Sequence, residues 1–442
     1  MKIAYISLGC PKNEIDLEII LGRLGGHIDI VDDPRSAQGT IINTCAFIAS
    51  AREESIQTIL ELISLKEKNP AYKILVTGCL PQRYHNLLEK EIPQVNAFFD
   101  TLEPIRTADD IGTLLQVSVA DPISRRRITP KHYAYLRIAD GCDNRCSYCA
   151  IPIIKGPYRS RAFADILDEA WSLVDSGARE LILVAQDTTG YGNDLTPRRS
   201  LSELLLTLQE IDRLRWIRLM YTHPARWDDQ LTDTVSNATK IVKYVDMPVQ
   251  HASDRILESM HRRVTQDDIR SLIRKLRDRI PGIRLRSSLI VGYPGETRKE
   301  YRQLVDFVRE VEFDRLGVFT YSHEEDTSAH ALSDIVSHKT KIARQENLLA
   351  IQAEISYHKN RQLVGKTVEA VVDEIDKENK TSIARTPWDA PEIDNTVLIP
   401  AIYRVGEFLT VEITKADTFD LWGKVVSIAA EGDCSRQEKN LL

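Results

Sequence analysis

The sequence lacks any run approaching the ~18–20 apolar residues of a membrane span. Its opening residues, MKIAYISLGC, hold neither a long apolar core nor a small-residue cleavage site, so no secretory leader is read there. Excess positive charge is missing too. The 58 Lys and Arg face 65 Asp and Glu, for a net charge of −7. That excludes a wholesale basic coat for nucleic acid and leaves room only for a local patch. Cysteine is sparse, seven residues in 442, which excludes a disulfide miniprotein. The expected compartment is the cytoplasm, where clustered cysteines are more often metal ligands or catalysts than disulfides. Low-complexity tracts and solenoid repeats are absent. What remains is 43% hydrophobic and 28% charged, an ordinary globular composition, with length enough for about two to four domains.

Residues 1–118 alternate short apolar runs with helical patterns. KIAYISL, GTIINT and KILVTG read as buried strands, and Ser50-x-x-Glu53 reads as a capping box opening a helix to about Lys66. A small α/β domain with a parallel sheet is expected here. Residues 119–132, with Pro122, Pro130 and Arg125-Arg126-Arg127, read as a connector. Six further apolar runs follow over 133–362: 133–139, 181–185, 216–221, 244–250, 284–291 and 315–321. Helical stretches separate them, among them 165–175, 200–211 and 299–311, and 341–362 reads as a polar helix. Such repeats predict a parallel barrel, complete or partial, with chemistry at the strand C-termini. Residues 363–430 carry short strands and turn signals and read as a small β-barrel, and 431–442 as a polar tail. The fold class is therefore α/β, in three parts.

The strongest chemical signal is the loop Gly141-Cys142-Asp143-Asn144-Arg145-Cys146-Ser147-Tyr148-Cys149, directly after the first barrel run. Thiolates are soft ligands suited to Fe–S clusters or zinc. Three of them on a 4Fe–4S cubane leave one iron without a protein ligand, open to a chelating molecule. A structural zinc site wants a fourth ligand nearby, and no Cys or His follows closely; a zinc or redox loop is the alternative.

This C-x3-C-x2-C loop at the top of a first barrel strand resembles that of the radical S-adenosylmethionine (SAM) enzymes. The resemblance implies that Cys142, Cys146 and Cys149 hold a 4Fe–4S cluster. Its open iron would chelate SAM, and one electron from it would cleave SAM to a radical that abstracts hydrogen. The backbone near Tyr148 would meet the adenine. Ala185-Gln186-Asp187 ends the second strand, where the superfamily contacts the SAM amino group. Gln250-His251 ends the fourth, and Ser288-Leu289-Ile290-Val291-Gly292 the fifth, where ribose and adenine contacts lie. Gln186, Asp187, Gln250, Ile290 and Gly292 are thus the candidate SAM contacts. Ordinary packing is the alternative for each, and a hydrogen-bonded structural role for His251. Gly292-Tyr293-Pro294-Gly295-Glu296 also reads as a simple turn.

A second set, Cys10, Cys45 and Cys79, ends three apolar runs in SLGCPKN, NTCAF and TGCLPQ. Parallel strands bring their C-terminal ends to one edge of the sheet, where three thiols can converge on a second cluster. Three separate buried cysteines are the alternative. Cys434 stands alone in the polar tail. This second triad, a radical SAM loop and a small β domain together resemble the methylthiotransferase family over roughly 1–430. The resemblance implies a second 4Fe–4S cluster that delivers sulfur, a C-terminal TRAM domain, and SAM used both as methyl donor and as radical source.

One branch of that family modifies an adenosine beside the anticodon of tRNA. The other modifies an aspartate β-carbon of small-subunit ribosomal protein twelve. The wording of Ser7–Asn13, of Asp140–Pro152 and of Asp389-Ala390-Pro391-Glu392-Ile393-Asp394 resembles the second branch. Residues 363–442 hold fifteen acids and nine bases, an acidic balance that suits a basic protein partner better than RNA. A solvated acidic surface is the plainer reading of that charge. The segment 123–161 holds nine bases against Asp140 and Asp143, and fits a carboxylate or a phosphate equally. Ala46, Thr222-His223, His323 and Asp326 depart from the branch's pattern. An external electron donor, a monomer and no membrane partner complete the expectations.

Overall fold

The computed structural model describes residues 1–120, 125–333 and 336–428. Cys434 and the polar tail lie outside them. Two compact units divide the chain.

The first unit comprises Met1–Thr129, Ala139–Arg159 and Ser322–Ala331. Its sheet contains β1 (Lys2–Ser7), β2 (Asp29–Val31), β3 (Gly39–Thr44), β4 (Lys73–Gly78) and β5 (Ala97–Phe98). All neighbours are parallel, in the order β2-β1-β3-β4-β5. GTIINT is buried at every residue, as a central parallel strand covered on both faces requires. Helices α1 (Pro11–Leu24) and α4 (Pro104–Leu115) cover one face through Leu17, Leu21, Leu24, Ala108 and Ile111. Helices α2 (Ala49–Lys68) and α3 (Cys79–Glu91) cover the other through Ile59, Leu62, Leu80 and Leu88. In this strand order the crossovers from β1 and β3 go to opposite faces, which opens a crevice outside the carboxyl ends of those strands.

The expected capping box at Ser50 does not form. Helix α2 begins at Ala49 behind an extended Ile48, and no side chain of its own caps it. Ser322 supplies an acceptor from a distant segment instead, taking the Ala49 N–H at 3.4 Å. The short strands β7 (Ala139–Asp140) and β8 (Arg159–Ser160) bracket the three-cysteine loop and the four-residue helix α5 (Ile151–Ile154).

The second unit comprises Pro130–Ile138, Ser160–Tyr321 and Leu332–Leu442. Its open sheet has six parallel strands in the order β13-β12-β11-β10-β9-β6. These are β6 (Tyr133–Arg137), β9 (Glu180–Val184), β10 (Trp216–Leu219), β11 (Ile241–Asp246), β12 (Arg284–Val291) and β13 (Arg315–Thr320). Each matches an expected strand, so the barrel is partial. Helices α6 to α12 run between and after them: Phe163–Asp175, Leu201–Leu208, Asp229–Asn237, Asp254–Ser259, Gln266–Arg279, Arg298–Val311 and His338–Arg361. Ser200, Thr265 and Thr297 form capping boxes with Glu203, Asp268 and Glu300 that start α7, α10 and α11.

A closed barrel follows, β14 (Thr367–Asp376), β15 (Thr381–Arg385), β16 (Thr396–Ile399), β17 (Phe408–Ala416) and β18 (Asp420–Ile428), in the order β14-β15-β16-β18-β17. Of these, β15 has no counterpart in the sequence reading, because TSIAR carries too short an apolar pattern. Buried ion pairs join this barrel to the parallel sheet. Arg385 reaches Glu180 at 2.6 Å and Asp373 at 2.8 Å, Arg218 bonds the same Glu180 at 2.7 Å, and His132 meets Asp373 at 2.7 Å. Arg315 and Arg286 bind Asp389 and Asp394, and the Tyr244 hydroxyl donates to Asp394 at 2.7 Å.

Candidate metal centres

The three N-terminal cysteines converge. Adjacent strands β1, β3 and β4 deliver Cys10, Cys45 and Cys79 to the carboxyl edge of the sheet, at the crevice the strand order creates. A Cβ on Gly9 would lie 2.9 Å from Cys45 Cβ and 3.2 Å from its Sγ, so the Cys10 turn passes against Cys45, and φ +102 there suits glycine. Gly78, φ +106, has no room for a Cβ either, with the Thr44 carbonyl at 2.3 Å. Asn13 knits the edge together. Its Nδ2 donates to the Leu8 carbonyl at 3.2 Å and to the Thr44 carbonyl at 2.9 Å. Its Oδ1 lies 4.0 Å from Cys10 Sγ and 3.7 Å from Cys79 Sγ. Sequence reading gave Asn13 no role, although its place three residues after Cys10, in a helix opened by Pro11, was the available signal.

Cys10 stands at the N-cap position of α1, without a side-chain capping bond, and Cys79 is the first residue of α3. Both sulfurs therefore sit where helix ends favour negative charge. Burial works the other way, raising the Cys45 thiol and pushing Cys79 up to about 12, with Lys155 opposing the rise. Buried thiols of this kind ionise when a metal takes the charge. No disulfide joins the six described cysteines. Among the described residues, no three His, Cys, Asp or Glu side chains gather around a point that would hold one ion. A cubane asks for something else: one thiolate per iron, spread over the cluster. Three soft ligands at one sheet edge, two of them at helix N-termini, fit that demand.

The second loop belongs to the same unit. Cys142 N–H donates to the Gly156 carbonyl at 3.2 Å and Cys149 N–H to the Cys146 carbonyl at 3.1 Å, closing the loop on itself. Gly141, φ +71, would put a Cβ 2.0 Å from the Pro157 carbonyl oxygen, so only glycine allows this closure. Ala150 and Ile154 are fully buried in the same apolar cluster as Ala46, Cys79 and Leu80. Tyr148 is half-buried within the loop.

The remaining candidates lie in the second unit, at the carboxyl ends of its strands. Asp187, after β9, is buried and paired with Arg226 at 2.6 Å. Gln186 beside it is half-buried. Gln250 adopts a left-handed backbone, φ +72, and is stitched to β12 by its N–H to Ser288 and by Ile290 N–H to its carbonyl, at 2.9 and 2.8 Å. Gln250 and Ile290 are thus brought together. The Gly292 N–H is taken by the Glu296 carboxylate, and the aliphatic stem of Lys341 fills the space a Cβ would need. Gly292-Tyr293-Pro294-Gly295-Glu296 is accordingly a closed turn. His251 is buried, its Nδ1 accepts the Ser253 N–H at 2.9 Å, and burial lowers it to about 3, so it stays neutral. His223 is likewise neutral, lowered to about 2 by burial and by Arg262. A cavity of about 530 Å³ opens between the β9 and β10 loops, lined by Thr189, Arg198, Arg199, Glu203, Arg226 and Asp228.

Of the nine bases in 123–161, three are spent on ion pairs, while Arg126, Arg145 and Arg159 are exposed. Arg125 pairs with the buried Glu18, Lys155 with Asp16 at 3.1 Å, and Arg161 with Glu169 at 2.5 Å.

Family comparisons agree with this division of labour. Residues 136–308 match the Radical SAM superfamily, residues 364–426 the TRAM domain, and residues 2–100 a family described as uncharacterized, UPF0004. The ribosomal protein uS12 methylthiotransferase RimO of Geobacter sulfurreducens is 43% identical over 96% of this chain and 99% of its own. That of Clostridioides difficile is 42% identical at the same coverage. The chain belongs to the RimO family of methylthiotransferases. It is a radical SAM transferase, and 4Fe–4S clusters and SAM are its cofactors. Among solved structures, the radical SAM methyltransferase TsrM from Kitasatospora setae shares the fold, with TM-score 0.54, 16% identity, and 72% of this chain and 74% of that one covered. The radical enzyme OxsB aligns at TM-score 0.52 and 11% identity over 80% of this chain and 56% of its own. No helix among the described residues is long and apolar enough to cross a membrane.

Proposed function

We propose that this chain adds a methylthio group to the β-carbon of an aspartate in small-subunit ribosomal protein uS12. The observation that carries the reading is near-complete coverage, at 42–43% identity, by relatives named as ribosomal protein uS12 methylthiotransferases. The two cysteine sets support it, since replacing C–H by C–S–CH3 needs both a radical source and a sulfur carrier.

In this reading Cys142, Cys146 and Cys149 hold the cluster that binds and reduces SAM, and Tyr148, Gln186, Asp187, Gln250, Ile290 and Gly292 form the SAM site. Cys10, Cys45 and Cys79 hold the second cluster, whose chemistry is sulfur delivery. Asn13 sets the spacing of Cys10 and Cys79. Cys10 and Cys79 hold negative charge at helix N-termini. Asp187 works through Arg226, and Gly292 through a turn locked by Glu296. The functional division runs 1–118, a linker at 119–132, 133–362 and 363–430, followed by the tail 431–442. The working form is a cytoplasmic monomer served by an external electron donor.

The test is anaerobic. Chain reconstituted with iron and sulfide is given SAM, sulfide and a strong reductant, with uS12 and unmodified tRNA offered in parallel, and both products are weighed by mass spectrometry. A methylthio gain mapped to an aspartate of uS12 is the expected result. A gain on tRNA alone overturns the substrate. Cys142→Ala is expected to abolish SAM cleavage, and Cys45→Ala to keep cleavage and lose sulfur insertion.

A further inference from the structure

One segment of the first unit reaches both loops that carry the thiols. Residues Ser322–Ala331 follow the last strand of the parallel sheet but pack with residues 1–129 and 139–159. At one end, the buried Glu324 carboxylate receives Arg83 and Arg52, each at 2.9 Å. Arg83 lies four residues after Cys79. Its guanidinium also donates to the carbonyl of Ala46, the neighbour of Cys45, at 3.1 Å, and to the Glu325 carbonyl at 2.8 Å. Ser322 caps α2 and donates to Glu324 at 2.6 Å. At the other end, Ala329 N–H donates at 2.8 Å to the carbonyl of Ser147, which sits between Cys146 and Cys149. His323 and His330, stacked at 4.1 Å, close the segment on itself.

A second link runs beneath. Lys155, six residues after Cys149, is buried and binds Asp16 of α1 at 3.1 Å, with the Thr101 hydroxyl at 2.8 Å and carbonyl at 3.0 Å. Burying such ion pairs costs desolvation that a hydrophobic contact would avoid, so their value lies in fixed geometry more than in stability. We infer that the 322–331 segment and Lys155 form a brace that fixes the distance between the two cluster loops, with Glu324, Arg83 and Lys155 as positioning residues. This rests on the assignment of both cysteine sets to clusters. Fixed spacing matters because a substrate radical made at one loop must meet sulfur held at the other before it is quenched, and a misplacement of ~1 Å can cost ~100-fold in such a step.

The test compares the full chain with Glu324→Gln and Lys155→Met. Iron content and electron paramagnetic resonance of the reduced protein come first. Two clusters in the parent chain uphold the underlying assignment, and their absence there overturns that assignment rather than the brace alone. In Glu324→Gln cluster loading is expected to match the parent at both sites, and in Lys155→Met, which also removes a positive charge that acts on Cys79, to match it at the Cys142, Cys146 and Cys149 site. The 5′-deoxyadenosine rate is expected within twofold, and 5′-deoxyadenosine released per methylthiolated uS12 to rise tenfold or more. Hydrogen exchange of amides 141–158 in the cluster-free chain is expected to quicken by a similar factor, a readout independent of activity. Ser322→Ala, milder at the same joint, is expected to fall between parent and Glu324→Gln. An unchanged product ratio with unchanged exchange overturns the brace. So does loss of iron from every variant, which marks these residues as simply structural.

Discussion

Asn13 illustrates what one side chain does at the N-terminal site. Its amide bonds two carbonyls and meets two of the three thiols, so removing it loosens the Cys10 turn at the β3 end, where Leu8 N–H to the Asn43 carbonyl remains. Asn13→Ala is expected to leave the parallel sheet folded and to lower iron retained at the N-terminal site several-fold, read by metal analysis in a Cys142→Ala background where only that site loads. Glu296 gives a pH signature. Burial lifts its carboxyl from 4.5 to about 6, although Arg344 and the N–H groups of Gly292 and Tyr293 oppose the rise. The folded chain therefore binds this proton more tightly than the unfolded chain does. Its stabilising share is whole below about pH 4.5 and lost as pH rises through about 6, roughly 2 kcal/mol in all. Glu296→Gln is expected to flatten the fall of the urea midpoint between pH 4.5 and 6.

At the scale of elements, strands were legible and their partners were not. GTIINT, KILVTG, RLRSSLIV and TVEAVVDEID are strands with the bounds their apolar patterns predict. The start of α2 was misread, since its cap comes from Ser322, far off in sequence. Asp389 and Asp394 were legible as family wording only. In the fold they are the acceptors through which the C-terminal barrel grips the sheet. Arg385 is the centre of the matching network, held by Glu180 and Asp373 and 1% exposed. Arg385→Ala leaves Glu180 to Arg218 and Asp373 to His132 and is expected to cost about 3 kcal/mol, measured by urea denaturation, with iron loading of the first unit spared.

For the whole molecule, charge counted along the chain misleads. Glu369, Asp373, Asp389 and Asp394 all turn inward to ion pairs, as does Arg385. Eight acids and six bases are left on the outer surface of residues 363–428, close to balance. Over these described residues the acidic balance read across 363–442 shrinks to a surface of nearly even sign; residues 429–442, which share in that balance, lie outside them. Glu374→Gln, Glu378→Gln and Glu412→Gln together are expected to change KM for uS12 by less than twofold. A large rise would restore the acidic-face reading.

The sequence by itself displayed the two sets of three cysteines, one at the ends of three apolar strands and one on a single loop, and the parallel α/β frame that puts such strand ends on one edge. Strand periodicity and cysteine spacing are local properties, and a linear chain displays them. Tertiary structure alone decided which residues pack against the loops that carry those sulfurs and which charges remain outside. Asn13, Arg83, Lys155 and Glu324 act on partners up to hundreds of residues away, and a buried ion pair leaves no periodic trace in either of the segments it joins.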